Sequence, residues 1–210
     1  MDKLLTVVIP SYNVEKFLNQ TLDSFVCDEA VMKKFEVIVV DDGSKDNTAK
    51  IGKEYADKYP DTFRVISKEN GGHGSTINCG IRNAVGKYFK VVDGDDWVNT
   101  ADFVKLVEDL EKTESEYVFT NYNEYYDDVN RQKAVDFPQF KDGTEYDFAD
   151  VANKVYIPMH ALVIKTSVLK DNNIVIDEKC FYVDVEYVMF PVPFVNKVTF
   201  FDLHVYMYRL

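Results

Sequence analysis

The sequence predicts an α/β fold in which helices cover both faces of a mostly parallel sheet. In the first half of the chain, short apolar runs alternate with helical patterns, and this alternation is typical of such a sheet. The run Phe35–Val40 is apolar almost throughout and rich in β-branched residues, as expected of a strand buried on both faces. The length of 210 residues suits one such domain. After about residue 123 the alternation is lost, which predicts a mixed second lobe.

The predicted elements follow from apolar spacing and from the residues that interrupt it. The first five strands are predicted at Leu4–Ile9, Phe35–Val40, Phe63–Ser67, Tyr88–Val92 and Tyr117–Tyr122. Helices are predicted at about 14–25, 46–59 and 75–84, with a fourth capped by Asn99 or Thr100. The second lobe is predicted to hold loops and short antiparallel strands over 125–148, a strand at 159–165, helices at 166–171 and 184–190, and two last strands, KVTFF and HVYMYR.

Composition excludes several classes of function. With 24 Lys and Arg against 36 Asp and Glu, the net charge is −12. This charge argues against nucleic-acid binding and against a polybasic membrane anchor. No apolar run approaches the roughly 20 residues of a membrane span, and the N-terminus does not resemble a signal peptide. The three cysteines are widely spaced, so we expect a reducing, cytoplasmic location without disulfides.

Polar clusters follow the first four predicted strands. They are Pro10-Ser11-Tyr12-Asn13, Asp41-Asp42-Gly43-Ser44, Asn70-Gly71-Gly72 and Asp93-Gly94-Asp95-Asp96. In an open parallel sheet, ligands bind beyond the carboxyl ends of the strands. The sequence therefore predicts that these four clusters meet at one edge and form a binding site.

Each cluster taken singly has two readings. The carboxylates of Asp93 and Asp95 are oxygen ligands suited to Mg²⁺ or Mn²⁺, or they form a solvated turn. The pair Asp41-Asp42 could accept hydrogen bonds from a nucleoside, or belong to a loop that caps a helix. The glycines after Asn70 could admit a phosphate to a helix N-terminus, or simply form a flexible loop.

A second group of acids lies in the second lobe. Asp184 and Glu186 are surrounded in sequence by aromatic and aliphatic residues. In such company a carboxylate could act as a general base, although helix capping and solvent exposure explain the pair as well. The three histidines share no zinc-ligand spacing and are expected to be surface or loop residues. His204 is the most interesting of them because it precedes the chain end.

Taken together, five segments resemble family-2 glycosyltransferases of the GT-A fold, a Rossmann-like three-layer sandwich. They occur in family order and are Val7–Asn13, Val37–Thr48, Asn70–Ile81, Val85–Trp97 and Tyr182–Tyr187. The resemblance implies a single catalytic domain, with residues 1–100 binding a nucleotide sugar and residues 101–210 holding the acceptor and the catalytic base. It also implies an inverting transfer from a UDP-sugar or similar donor, with Mn²⁺ or Mg²⁺ on the diphosphate.

The resemblance also implies roles for particular residues. Pro10, Tyr12 and Asn13 match the loop that frames the nucleotide, and Asp41 and Asp42 match acids that contact the base and ribose. Asp93-Gly94-Asp95 matches the DXD motif, in which the first acid contacts ribose and the second holds the metal. Asp184 matches the catalytic base, although Val183 replaces the usual neighbouring Glu, which keeps Glu186 as an alternative.

Two other functions remain open at this stage. One is a sugar nucleotidyltransferase, although the loop after the first strand offers only Lys16 for a triphosphate. The other is a non-catalytic relative that binds a nucleotide sugar. The expected acceptor is a saccharide, a lipid-linked saccharide or a growing cell-envelope polysaccharide. Because relatives often continue past a Tyr-Arg pair, we expect a truncated chain whose missing part could associate with the inner face of the membrane.

Overall fold

A computed structural model describes residues 3–210. Within that range the strands are β1 (Leu5–Ser11), β2 (Phe35–Asp41), β3 (Phe63–Ser67), β4 (Tyr88–Val91), β5 (Trp97–Val98), β6 (Tyr117–Tyr126), β7 (Arg131–Val135), β8 (Thr144–Asp147), β9 (Leu162–Lys165) and β10 (Lys197–Arg209). The α-helices are α1 (Leu18–Asp23), α2 (Glu29–Met32), α3 (Thr48–Lys58), α4 (His73–Asn83), α5 (Thr100–Asp109), α6 (Phe148–Ala152), α7 (Thr166–Asp171) and α8 (Val183–Met189).

These strands form one sheet in the order β3-β2-β1-β4-β9-β6-β10-β5, with β7 beside β6 and β8 beside β10. The pairs among β3, β2, β1 and β4 are parallel, and so is the pair β6 with β10. Strand β9 runs antiparallel between β4 and β6 and joins the two parallel groups. The predicted mostly parallel sheet and mixed second lobe are therefore confirmed, and the sheet is continuous across the predicted lobe boundary.

Both faces of this sheet are buried. In β1 and β2 every residue is buried, and successive side chains enter different core clusters. Val8 and Ile38 pack with Ile77 of α4, whereas Val7 and Val37 lie in the cluster that contains α1 and α5. Helices therefore cover both faces, which is why the apolar run of β2 is continuous and why the fold has three layers.

Three differences from the sequence-based expectation lie near the polar clusters or the end of the chain. The two predicted last strands are one strand, β10, whose pairing with β6 shifts register near His204. Helix α4 begins at His73 and not at Ser75, because Gly72 adopts a φ of +84° that only glycine accepts readily. Strand β5 was not predicted, and it pairs with the end of β10.

None of the helices described for residues 3–210 has the length and apolar character needed to cross a membrane. All three cysteines are free. Helix α5 is capped as predicted, because the Asn99 side chain accepts hydrogen bonds from the amides of Ala101 and Asp102.

Candidate functional site

The four polar clusters meet at one edge of the sheet, as the sequence predicts. Two adjoining clefts of about 250 Å³ and 530 Å³ open there. The smaller is lined by Pro10, Ser11, Tyr12, Asp42, Asn70, Gly72, His73 and Thr76. The larger is lined by Tyr12, Asp41, Gly43, Lys45, Ser67, Lys68, Glu69 and Asn70. Most residues expected to bind a nucleotide therefore line one continuous surface.

Asp42 is the buried centre of this surface. Its carboxylate is 2% exposed and accepts hydrogen bonds from the amides of Gly71 (2.9 Å) and Gly72 (2.8 Å) and from the ammonium group of Lys68. The side chain of Asn70 donates to the Asp42 carbonyl. From the sequence, these glycines could admit a phosphate to a helix N-terminus. In the structure their amides donate to the Asp42 carboxylate.

The neighbouring loops are tied to each other. Asp41 is buried at the end of β2 and accepts from the amide of Ser44, across a turn in which Gly43 has a φ of +75°. Asn13 accepts from the amide of Lys45, and its own amide donates to Ser44 Oγ. Tyr12, half exposed, is left on the surface of the cleft, where an aromatic ring can stack on a base.

The first acid after β4 is paired with a histidine. His73 Nε2 lies 2.8 Å from Asp93 Oδ1. Burial lowers the pKa of His73, but the hydrogen bond to Asp93 and the charges of Asp93, Asp184 and Asp95 outweigh it, so this pKa is raised. For Asp93, burial alone would raise the pKa, but the hydrogen bond and the charge of His73 outweigh burial, so this pKa is lowered. The pairing therefore favours the charged form of each partner, imidazolium for His73 and carboxylate for Asp93.

Asp96 faces inward, whereas Asp95 is exposed. Asp96 accepts from the Tyr206 hydroxyl (2.6 Å) and the Arg209 amide (2.7 Å), both in β10. Burial and the charge of Asp93 nevertheless raise the pKa of Asp96 to about 8. The Arg209 guanidinium also donates to the Asp95 carbonyl. The end of β10 therefore holds the loop that carries the acids.

Two acids that follow β4 and one histidine of the second lobe form a set of candidate metal ligands. Ligand atoms of Asp93, Asp96 and His160 all lie within 4.8 Å of one another. Both oxygens of Asp96 already accept hydrogen bonds, which leaves Asp93 and His160 as the available donors. Asp95, a predicted metal ligand, is exposed and does not belong to this set. Carboxylate and imidazole donors fit Mn²⁺, and the carboxylates alone fit Mg²⁺.

Asp184 is brought to the same place by α8, of which it is the second residue. It is half-buried, and its charge is among the influences that raise the pKa values of His73, Tyr156 and Tyr208. Glu186 is used elsewhere, because its Oε2 accepts from the amide of Asp177 at 2.8 Å. Glu186 is therefore engaged with the backbone, whereas the charge of Asp184 acts on residues that surround the cluster.

Several residues of the site were not identified from the sequence. His73 and His160 were expected to be ordinary surface residues, yet they lie against the acids, while His204 pairs with Asp136. Lys68 was not considered. For His73 the available sequence signal was Gly72, directly after which α4 begins. His160 reaches the site only because β9 lies beside β4.

Comparison with known proteins identifies the family and the fold. The sequence model of Glycosyl transferase family 2 matches residues 6–172. The protein named Uncharacterized glycosyltransferase EpsJ, from Bacillus subtilis (strain 168), is 38% identical over 118 residues, which are 56% of this chain and 33% of EpsJ. The match therefore spans about a third of the length of that curated relative.

Two solved structures share the fold. S. aureus TarS 1-349 in complex with UDP-GlcNAc matches with a TM-score of 0.81 at 24% identity, over 99% of this chain and 58% of that one. The mannosyltransferase PcManGT from Pyrobaculum calidifontis, in complex with GDP-Man and Mn²⁺, matches with a TM-score of 0.70 at 18% identity, over 99% of this chain and 57% of that one. The predicted three-layer fold is thereby confirmed.

Proposed function

The chain belongs to glycosyltransferase family 2 and has the GT-A fold, and from that premise we propose that it moves a sugar from a nucleoside-diphosphate donor to a hydroxyl group of a saccharide acceptor, with inversion at the anomeric carbon. The donor side is residues 1–100, and residues 101–210 carry the acceptor and the base. The similarity to TarS, solved with UDP-GlcNAc, supports a UDP-sugar as the donor.

In this proposal the nucleotide lies in the two adjoining clefts. Asp41 and Asp42 contact the base and ribose, Tyr12 stacks on the base, and Pro10 and Asn13 shape the loop beneath it. Asn70, Gly71 and Gly72 act by fixing Asp42, because the two glycine amides already donate to its carboxylate. The ammonium–carboxylate contact with Lys68 also holds the Asp42 side chain in its orientation.

Asp93 and Asp95, with His160 beside them, would hold a divalent cation, Mn²⁺ or Mg²⁺, at the donor diphosphate. When bound, the cation neutralises the negative charge that develops on the departing diphosphate. Thr21 Oγ1 donates to the carbonyls of Gly94 and Asp96. That contact fixes the backbone of the loop, so that the acids are already oriented when the donor arrives.

Asp184 is the proposed general base. A base must reach the acceptor hydroxyl on the side of the sugar opposite the nucleotide, and Asp184 faces the acids from the second lobe. One displacement needs one base and no protein nucleophile. The single observation that carries the proposal is that Asp184 comes from a segment distant from Asp93 and Asp95, and that the charges of all three raise the pKa of the same residue, His73.

The test begins with the donor. We would measure the melting temperature with UDP, GDP, CDP and TDP, each with and without Mn²⁺, because a ligand that binds the folded state raises it. A Mn²⁺-dependent rise in melting temperature for one nucleotide identifies the nucleobase of the donor. We expect Asp184→Asn to keep that rise and to lose transfer by about 10²–10⁴-fold, the usual contribution of a general base.

The matched control is Glu186→Gln, which keeps an oxygen acceptor for the Asp177 amide and should transfer sugar normally. Normal transfer by Asp184→Asn would remove the base assignment. The absence of a shift with every nucleotide would contradict the donor site itself.

A further inference from the structure

Helix α4 is linked to three parts of the candidate site. The glycine turn before it donates two amides to the Asp42 carboxylate, and its first residue, His73, pairs with Asp93. The third link lies in the middle of the helix, where the buried side chain of Asn78 binds the segment that leads to α8. One helix therefore connects the acids that follow β2 and β4 with the segment that precedes Asp184.

That segment, Ile176–Lys179, is here called the strap, and Asn78 holds its first residue. Nδ2 of Asn78 donates to the Ile176 carbonyl (2.8 Å), and Oδ1 accepts from the Ile176 amide (2.9 Å). Asn78 is 3% exposed and Ile176 is fully buried, so water cannot easily replace either bond. Removal of the Asn78 side chain would therefore leave both backbone groups of Ile176 without these partners.

The strap lies directly against the first turn of α4. A β-carbon added at Gly74 would overlap the carbonyl oxygen of Asp177, so glycine is needed for this close approach. Further along the strap, the Lys179 amide donates to the Gly71 carbonyl (3.0 Å). Gly71 belongs to the turn whose amides hold Asp42, so the strap and the Asp42 carboxylate share one support.

The strap also determines how α8 begins. Tyr182, the N-cap residue of α8, has a φ of +63°, and its side chain forms no capping hydrogen bond with the described residues. The first turn of α8 is tied to the strap by Glu186, whose Oε2 accepts from the Asp177 amide (2.8 Å). Asp184 lies between Tyr182 and Glu186, and its charge helps to raise the pKa of His73. The position of the strap on α4 therefore bears directly on the position of the Asp184 carboxylate.

We propose that Asn78 is a positioning residue for the transfer reaction, because by holding the strap on α4 it fixes the Asp184 carboxylate relative to Asp42 and Asp93. This inference rests on the proposed function, since it takes Asp184 as the base. It adds a buried residue that acts only through Asp184. A misplacement of about 1 Å can cost about 10²-fold in rate, so a general base on a short helix needs such support.

The test uses UDP-glucose, UDP-galactose and UDP-GlcNAc with Mn²⁺ and no acceptor, so that water replaces the acceptor hydroxyl. Water attacks the anomeric carbon, its proton passes to Asp184, and UDP leaves. With the most reactive donor at saturation, we expect Asn78→Ala to slow UDP release by about 10²-fold. The dissociation constant of UDP with Mn²⁺ should stay at the wild-type value. Gly74→Ala should act in the same way, because it displaces the strap while alanine favours the helix.

Two comparisons separate positioning from a loss of stability. In the Asp184→Asn background, Asn78→Ala should slow UDP release little further, because the group that it positions is already disabled, whereas independent effects would multiply. The matched control is Asn121→Ala. Asn121 is 1% exposed, accepts from the Phe137 amide and donates to the Asp202 carboxylate. This variant should lose similar stability and keep the wild-type rate per folded molecule.

A second measurement needs no turnover. The amides of Ile176, Asp177 and Lys179 donate to acceptors outside the strap, so their hydrogen exchange, followed by NMR, reports whether the strap is docked. We expect Asn78→Ala to speed their exchange by about tenfold, the scale of one or two lost hydrogen bonds. Asn121→Ala should leave their exchange relative to that of the core amides unchanged.

Three results would overturn the inference. They are wild-type UDP release in Asn78→Ala and Gly74→Ala, losses of Asn78→Ala and Asp184→Asn that multiply, and strap amides that exchange no faster in Asn78→Ala. The failure of the proposed function looks different. It would appear as the absence of UDP release from every donor by the wild type, or as normal release by Asp184→Asn, whereas a loss in Asp184→Asn alone would contradict only the role of Asn78.

Discussion

The proposed donor side and the proposed acceptor side of the site are stabilised by different interactions. On the donor side a buried carboxylate, Asp42, is held by two backbone amides and one ammonium group. On the acceptor side, aromatic rings of distant segments pack on one another, and Tyr156 is largely open to solvent. Removing a partner of a buried charge leaves that charge uncompensated and lowers stability strongly. Removing one ring from a stack at the surface lowers stability less. Substitutions should therefore act sharply on the first region and by degrees on the second.

The largest effect is expected at Asp42. Asp42→Ala leaves the Lys68 ammonium group and two amides without their partner, and breaking a buried pair costs about 3–5 kcal/mol. We expect a fall of that order in the free energy of unfolding, measured by urea titration, together with loss of nucleotide binding.

A matched control lies at the other end of the same strand. Glu36 is also buried and accepts from Thr6 Oγ1, Arg64 Nε and the Val85 amide. Glu36→Ala should destabilise the protein similarly, yet its folded fraction should still bind nucleotide. Equal loss of nucleotide binding in both variants would show that stability alone explains the effect.

The next effect is expected at Lys90 and depends on pH. Burial lowers the pKa of Lys90 to about 7, whereas an unfolded lysine titrates near 10.4. Between these values the unfolded chain binds the extra proton, so wild-type stability rises with pH by up to about 1.4 kcal/mol per unit from this group. Relative to Lys90→Met, the wild type should therefore gain stability from about pH 7 to 10.

Urea titrations of both proteins across that range would measure this difference, in which the other titrating groups cancel. A constant difference would mean that Lys90 stays charged when buried. Lys90→Arg, which remains charged throughout, should show no such pH-dependent gain and serves as the control.

The smallest effect is expected at Tyr206, which contacts both regions. Its hydroxyl donates to Asp96 and accepts from the Asp93 amide. Tyr206→Phe should cost about 1–2 kcal/mol of stability and weaken Mn²⁺ binding severalfold, measured by electron paramagnetic resonance of free Mn²⁺. Tyr117→Phe loses a comparable buried hydrogen bond, to the Val188 carbonyl, and should leave Mn²⁺ binding unchanged. Equal Mn²⁺ affinities in the two variants would contradict this role.

The same contrast explains what could be predicted from the sequence. The proposed donor side is made of residues that directly follow strands, so local apolar patterns located them, and the predicted bounds of β3, Phe63–Ser67, agree with the structure. The convergence of the four clusters then followed from the parallel sheet. The roles of the individual residues remain predictions.

The acceptor side could not be predicted because its geometry depends on pairing between distant segments. Nothing local to His160 shows that its backbone will meet Lys90, or that its ring will stack on Tyr208. The partner of the Gly71 and Gly72 amides could not be predicted either, because it is Asp42, 29 and 30 positions earlier. A single strand over Lys197–Arg209 was equally hidden, since its register shifts near His204 arise only against β6.

The parallel pairing of β6 with β10 has a consequence for how the protein folds. The two strands are separated by most of the second half of the chain, so their pairing requires a long loop to close before any contact compensates for the lost entropy. The pairing of β1 with β4 needs a closure of similar length, because Leu5 pairs with Tyr88 as Tyr117 pairs with Val198. Refolding should therefore be limited by two long closures, and the arrival of β10 brings Tyr206, Tyr208 and Arg209 to the site.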